Sequence, residues 1–426
     1  MPSLPPDGES APVDGRLPGV ATAALGDRHF GVYLHVPFCA TRCGYCDFNT
    51  YTPTELRAGE HGGTGVGAAG LGGGAVAATY MAAALREIEL AAEVLGPEVP
   101  PVQTVFFGGG TPTLMPPADL VRLLRAIERQ FGLTARTEVT TEANPESVDE
   151  AYLSQLRAGG FTRISLGMQS ARPHVLAVLE RQHTPGRAEQ VVAAARRAGF
   201  DHVNLDLIYG TPGETESDWQ ASLDAAVAAG VDHVSAYALI VEDGTRLSRQ
   251  VSGGQLAVPD DDVLADRYEA ADRTLGDAGL SWYEVSNWAA DDGATQDTAR
   301  CRHNELYWQG GNWWGVGPGA HSHVAGTRWW NVRHPAAYAD RLARGRSPAQ
   351  GREILPADAR HAERVLLGVR LRAGLALDEL SVVGRAASNR ARDDGLLDPA
   401  EHAAGRAVLT LRGRLLADAV VRDLVD

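Results

Sequence analysis

The sequence predicts an α/β fold: a partial (β/α)6 TIM-like barrel followed by a small helical or winged-helix-like C-terminal domain. Three observations predict it. Six short apolar strands alternate with helical patterns, and βα order implies parallel pairing with right-handed crossovers. The residues Cys39, Gly108 to Thr111, Glu142, Gln169, Asp206 and Tyr237 all fall at or just beyond the C-terminal ends of those strands. At 426 residues the chain exceeds what one core usually fills, so a second, smaller unit is expected. Periodicity alone fits an open doubly wound sheet equally well. Polar residues contributed by all six strands fit a curved sheet around one central site better than a crevice at a single switch point.

In order, residues 1–28 are rich in Pro, Gly, Asp and Ala and read as a disordered N-terminal tail. The first strand runs from Phe30 to Pro37 and ends at a cysteine loop. The Gly-rich stretch at about 54–78 reads as a flexible insertion. From about residue 79, Met81, Leu85 and Ile88 mark a helix face, and strands follow near Val102–Phe107, Thr137–Thr141, Arg163–Leu166, Val203–Ile208 and Val234–Leu239. Ser147 with Glu150, and Thr215 with Asp218, have capping-box spacing, while Thr184 followed by Pro185 marks another helix start. A helix at about Asp261–Ala278 and a strand at Trp282–Val285 complete the barrel portion, 29–285. Residues 286–355 form a Trp- and His-rich linking and barrel-closing region, and 356–426 a small domain with a strand near Val408–Leu411 and a closing helix through Leu416, Val420 and Leu424.

The formal charge is −15, from 39 basic and 54 acidic residues, and no basic stripe is present, so a nucleic-acid partner is not expected. The N-terminus lacks the basic start and apolar core of a secretory signal, and no run of 18 apolar residues occurs, which predicts a cytoplasmic protein.

Of four cysteines, three lie together in Cys39-Ala40-Thr41-Arg42-Cys43-Gly44-Tyr45-Cys46, and the fourth is distant, at Cys301. That distribution cannot build a disulfide framework. Three thiolates at this spacing can wrap one side of a four-iron four-sulfur cluster and leave the fourth iron open to a chelate such as the amino and carboxylate groups of S-adenosylmethionine. A zinc site completed by His35 or another side chain is the alternative.

The spacing resembles that of the radical S-adenosylmethionine superfamily. Tyr33 to Cys39, Phe107 to Pro112, Asn204 to Gly210 and Cys301 to Trp308 are similar to the branch that contains oxygen-independent coproporphyrinogen III oxidases and heme chaperones, from about residue 29 to the C-terminus. The resemblance implies Cys39, Cys43 and Cys46 as cluster ligands. It implies Tyr33, Tyr45, Gly108, Gly109, Gly110, Thr111, Glu142, Gln169, Arg181, Asp206 and Ala238 as the surroundings of S-adenosylmethionine. Read from the residues themselves, the glycines could form an ordinary turn, and Tyr33, Tyr45 and Ala238 could be barrel packing. Asp206, between Leu205 and Leu207, needs a partner in either case.

Two departures weigh against the oxidases: Phe48 stands where they carry a further Cys, and their longer N-terminal region has no counterpart. The segment His303-Asn304-Glu305-Leu306-Tyr307-Trp308 resembles the heme-chaperone signature. The resemblance therefore implies a protein that binds heme and transfers it to an acceptor hemoprotein, free or membrane-associated, with a reductant protein as a further partner; oxidative decarboxylation of coproporphyrinogen III is the alternative. No residue is assigned as catalytic. Seven of the eight Trp lie within 282–334 and offer a wall for heme. His303 and Cys301 are candidate heme contacts.

Overall fold

The computed structural model describes residues 8–58, 74–181, 183–290 and 299–425. Thirteen strands among them form one sheet: β1 (Glu9–Ser10), β2 (Phe30–Val36), β3 (Val102–Gly109), β4 (Leu133–Ala143), β5 (Arg163–Gln169), β6 (His202–Tyr209), β7 (His233–Ala238), β8 (Leu280–Glu284), β9 (Asn287–Ala290), β10 (Asn312–Val316), β11 (His321–Val324), β12 (Thr327–Asn331) and β13 (Ala349–Ile354). The spatial order is β1-β13-β12-β11-β10-β2-β3-β4-β5-β6-β7-β9-β8. β2 to β7 pair in parallel, as expected, and β10 adds a parallel neighbour on the other side of β2.

Period-two alternation explains how this sheet holds a site. Val32, Leu34, Val105, Phe107, Ile164, Leu166, Val203, Leu205, Val234 and Ala236 are buried in the main core with the helices. Their neighbours Tyr33, Phe106, Thr140, Ser165, Asn204, Asp206 and Ser235 line one inner cavity. Six consecutive strands facing a single cavity make a curved sheet, and because its edges are β1 and β8 it does not close into a barrel.

Several local expectations are corrected. Residues 8–28 are not a loose tail: Glu9 and Ser10 pair with β13, and Leu17, Ala21 and Leu25 anchor the segment in the main core. Composition hid these few well-spaced apolar anchors. Of the Gly-rich insertion, 59–73 lies outside the described residues; on its flanks, helices span Pro53–Ala58 and Gly74–Leu95, so the helix expected from residue 79 starts earlier. Residues 312–354 extend the sheet beyond β2 instead of closing it.

Asp149, not Ser147, caps the helix Glu150–Gly159, accepting from Tyr152 N. Gly186, not Thr184, precedes the helix Arg187–Ala198. The Thr215–Asp218 capping box is present. Around Val365, Val369, Leu397, Leu409, Val420 and Leu424 the C-terminal segment packs a core of its own. Its short ladder joins β14 (Leu375–Ala376) to β15 (Arg406–Ala407), just before the expected strand, because Leu411 already opens a helix capped by Thr410.

Candidate cofactor and ligand site

β2 ends at Val36, and Cys39 follows three residues later. Cys39 N donates to Tyr51 O at 3.1 Å, Gly44 N to Leu179 O at 3.1 Å, and Cys46 N to Cys43 O at 3.2 Å, so backbone bonds fold the loop back on itself and onto the following strand units. All three thiols are partly exposed and free. Burial raises the Cys39 thiol and pushes Cys46 up to about 12, so both want a positive partner before they ionise. Arg181 brings positive charge to the loop: its Nη1 lies 3.7 Å from Cys43 Sγ, its Nη2 donates to Gly167 O at 2.9 Å, and its buried Nε has no protein acceptor among the described residues.

The glycines are required where they stand. Gly109 has φ +103°, and a Cβ there would lie 2.5 Å from the His35 ring; one on Gly110 would lie 2.4 Å from Phe38 O. Gly110 N donates to Val36 O at 2.8 Å and Thr111 N to Phe38 O at 2.7 Å, which ties this segment to the start of the cysteine loop. Gly109 N donates to Glu142 Oε2 at 3.1 Å. Burial, with Asp206 adding repulsion, pushes the Glu142 carboxyl up to about 8 against that bond. Gln169 is buried at φ +64°, a conformation that costs a non-glycine residue free energy and clusters at functional sites.

Asp206 has its partners: Ser165 Oγ donates at 2.8 Å and Asn204 Nδ2 at 2.7 Å. The chain continues through His233, 2.6 Å from Asn204 Oδ1, to the Tyr283 hydroxyl at 2.9 Å. These relay residues were not singled out in the sequence, although the alternation that buries Val203 and Leu205 already turns Asn204 and Asp206 the other way. The resulting inner cavity, of about 330 Å³, is lined mainly by polar residues. Tyr45 is half-buried against the cluster of Leu179, Ile208 and Leu247, and Ala238 packs at the edge of the main core, as barrel packing would.

A second cavity, of about 780 Å³, opens beside the first and shares Tyr33, Glu142 and Tyr307 with it. Phe48, Trp313, Trp330, Leu366 and Leu367 give it an apolar wall. Only these two of the seven clustered Trp reach it. Trp314 and Trp329 pack edge to face at 4.9 Å in the core, and Trp288 is buried with Nε1 on Asp272.

The candidate heme contacts sit differently from expectation. His303 is buried, with Nδ1 2.8 Å from Thr104 Oγ1 and Nε2 2.8 Å from the Tyr307 hydroxyl, so both ring nitrogens are hydrogen-bonded. Burial alone holds its pKa down to about 3. Cys301 is likewise buried, its Sγ 3.7 Å from Glu138 Oε1. Glu138, a buried carboxylate missed in the sequence, also accepts from Arg302 N and His303 N at 3.0 Å each and so caps the helix Arg302–Trp308. The segment from Cys301 to Trp308 thus braces the wall between the two cavities.

The Radical SAM superfamily model matches residues 33–226, which takes in the cysteine loop, the glycines, Glu142, Gln169, Arg181 and Asp206. The chain is 53% identical over 415 residues, 97% of its length and 98% of the relative's, to the heme chaperone HemW of Mycobacterium tuberculosis. It belongs to the HemW family. A HemW from Synechocystis is 33% identical over 83% of this chain and 81% of its own. The solved structure of the coproporphyrinogen III oxidase HemN from Escherichia coli superposes with a TM-score of 0.77, covering 98% of this chain and 96% of that one, at 20% identity, which is a likeness of fold.

HemW membership within the radical S-adenosylmethionine superfamily implies a four-iron four-sulfur cluster and S-adenosylmethionine. The residues present fit both groups. Three free thiols on one loop, an arginine beside them with an unpartnered buried Nε, and a glycine cradle that any Cβ would fill are what such ligands need. Among the described residues no three His, Cys, Asp or Glu side chains converge as ligands of a single ion do; a cubane is wider and holds its sulfurs further apart.

Proposed function

We propose that this protein binds heme and passes it to an acceptor hemoprotein, using a core that carries the cluster and S-adenosylmethionine. The observation that carries the reading is the 53% identity to a heme chaperone HemW across nearly the whole of both chains. The large apolar cavity beside the cluster loop supports it.

Cys39, Cys43 and Cys46 would hold the cluster, with Arg181 balancing thiolate charge. Gly108 to Thr111, Gln169, Glu142 and Asp206 would line S-adenosylmethionine, with Tyr33, Tyr45 and Ala238 as flanking surfaces. Bound there, the cluster supplies a single electron to the cofactor's sulfonium. The protein's own groups shield that region: Tyr33 stacks toward Phe106 and His303 at 6.3 and 6.4 Å between centroids, and its hydroxyl lies 3.0 Å from His35 Nδ1.

No helix among the described residues is long and apolar enough to cross a membrane. The reading places the protein in the cytoplasm, where a reductant protein would serve the cluster and an acceptor, free or membrane-associated, would take the heme. The test is a transfer assay. Protein loaded with heme under anaerobic conditions, mixed with a heme-free cytochrome, should lose its Soret signal as the cytochrome gains its own; failure to bind or release heme with the cluster intact sinks the reading.

A further inference from the structure

Four histidines face or border the large cavity, and their hydrogen bonds separate them. His35 donates from Nε2 to Asn49 O at 2.9 Å and receives the Tyr33 hydroxyl on Nδ1 at 3.0 Å. His323 donates from Nδ1 to Gly311 O at 2.8 Å and accepts from Gly326 N on Nε2 at 2.9 Å. His303 is engaged at both nitrogens by Thr104 and Tyr307. His321 differs from all three. It opens β11 with its side chain exposed to the cavity, and its ring makes no hydrogen bond among the described residues.

Its surroundings suit a porphyrin. The His321 ring stacks beside Trp330, with centroids 6.0 Å apart and planes at 29°. Phe48 and Leu366, 59% and 40% exposed, line the same cavity, large apolar side chains that gain by being covered. The volume, about 780 Å³, is within the roughly 300–1,000 Å³ of ligand pockets. Arg328 and Arg333 put guanidinium groups on the same wall, the planar cations that suit carboxylates; Arg328 is already bridged to Glu353 at 2.7 Å and to Glu363.

We propose that this cavity is the heme site and that His321 is the axial ligand of the iron, with Trp330, Trp313, Phe48 and Leu366 covering the macrocycle and Arg328 and Arg333 facing its propionates. The inference rests on the heme-handling reading and assigns its site to residues outside the His303 to Trp308 segment. Desolvation by the cavity walls, together with the positive charge of Arg328 and Arg333, holds the His321 imidazole below its ordinary pKa, in the neutral form that ligates iron.

Hemin titrated into the full-length, cluster-loaded protein and followed at the Soret band tests it. The parent should bind saturably. His321→Ala should bind at least about tenfold more weakly with an altered ligand-field spectrum that added imidazole restores. His334→Ala, outside the cavity, should behave as the parent. Leu366→Glu, at an exposed position lining the cavity, should also weaken binding without lowering Tm. Parent-like affinity and spectrum in His321→Ala, with the parent binding heme, overturn the assignment and leave heme handling standing. No binding by the parent overturns both.

Discussion

The two cavities share a wall and differ in every other respect. The inner one is lined by side chains that satisfy one another: Asp206 with Ser165 and Asn204, Asn204 with His233, His233 with Tyr283. The outer one is apolar, wider, and keeps one imidazole unbonded. A finished polar network positions a ligand of fixed shape by fixed hydrogen bonds. A wide apolar pocket with one open donor holds a flat apolar molecule and can release it. The contrast separates a resident cofactor from a cargo, and it can be broken or sharpened by experiment.

The largest effect tests whether the two regions are independent. Cys43→Ala removes one of three thiolates and should abolish the cluster, with iron and sulfide falling to background after reconstitution. Hemin binding followed at the Soret band should persist, because among the groups lining the outer cavity none is a cluster cysteine. Loss of heme binding together with the cluster would mean that the two cavities are one site.

A smaller effect comes from the outer wall's support. Leu366 and Leu367 belong to the helix Ala357–Gly368 of the C-terminal unit. That unit docks through Arg414, which meets Asp272 at 2.8 and 2.7 Å, donates to the Tyr268 hydroxyl at 3.0 Å and lies 4.4 Å over the Trp282 ring. Arg414→Met should cost about 2–3 kcal/mol. That is less than the roughly 3–5 for breaking a fully buried pair, since Asp272 is partly exposed and keeps Trp288 Nε1. Denaturant unfolding gives the stability. Heme affinity should fall several-fold while S-adenosylmethionine affinity is unchanged; an equal loss of both would show that the docking supports the whole sheet.

The inner half was legible in the sequence and the outer half was not. Parallel strands buried on the helix side read as short apolar runs, and the residues that end them, Cys39, Gly108, Glu142, Gln169 and Asp206, gather without further information because every βα unit runs the same way. The outer wall is assembled from antiparallel strands on the far side of β2, the cysteine loop and a helix of another unit, and no local pattern encodes that meeting. The Trp cluster gave the region but not the facing: Trp313 and Trp330 reach the cavity, whereas Trp314 and Trp329 turn into the core. His303 carried the strongest motif and proved to be braced by Thr104 and Tyr307, the first lying 199 positions away in the chain.

The smallest effect distinguishes the two halves by pH. Behind the outer wall Glu87 is fully buried, accepting from Gly317 N and Asn331 Nδ2, each at 2.8 Å, and from the Tyr338 hydroxyl, and burial pushes it from 4.5 up to about 7. Glu142, between the cavities, is pushed to about 8. Both folded-state values lie above the unfolded one, so each carboxyl contributes stability that is full below about 4.5 and is lost as pH rises through its folded value. Glu87→Gln should therefore flatten the fall in stability between about pH 4.5 and 7 and leave the stretch from 7 to 8 in place, while Glu142→Gln should also flatten that upper stretch. Denaturation midpoints from pH 5 to 8, taken as differences from the parent, check this, since Glu214 is raised as well and adds a common slope. S-adenosylmethionine should alter the Glu142 portion alone, and a shift in the Glu87 portion would mean that cofactor binding reaches the outer wall through Asn331.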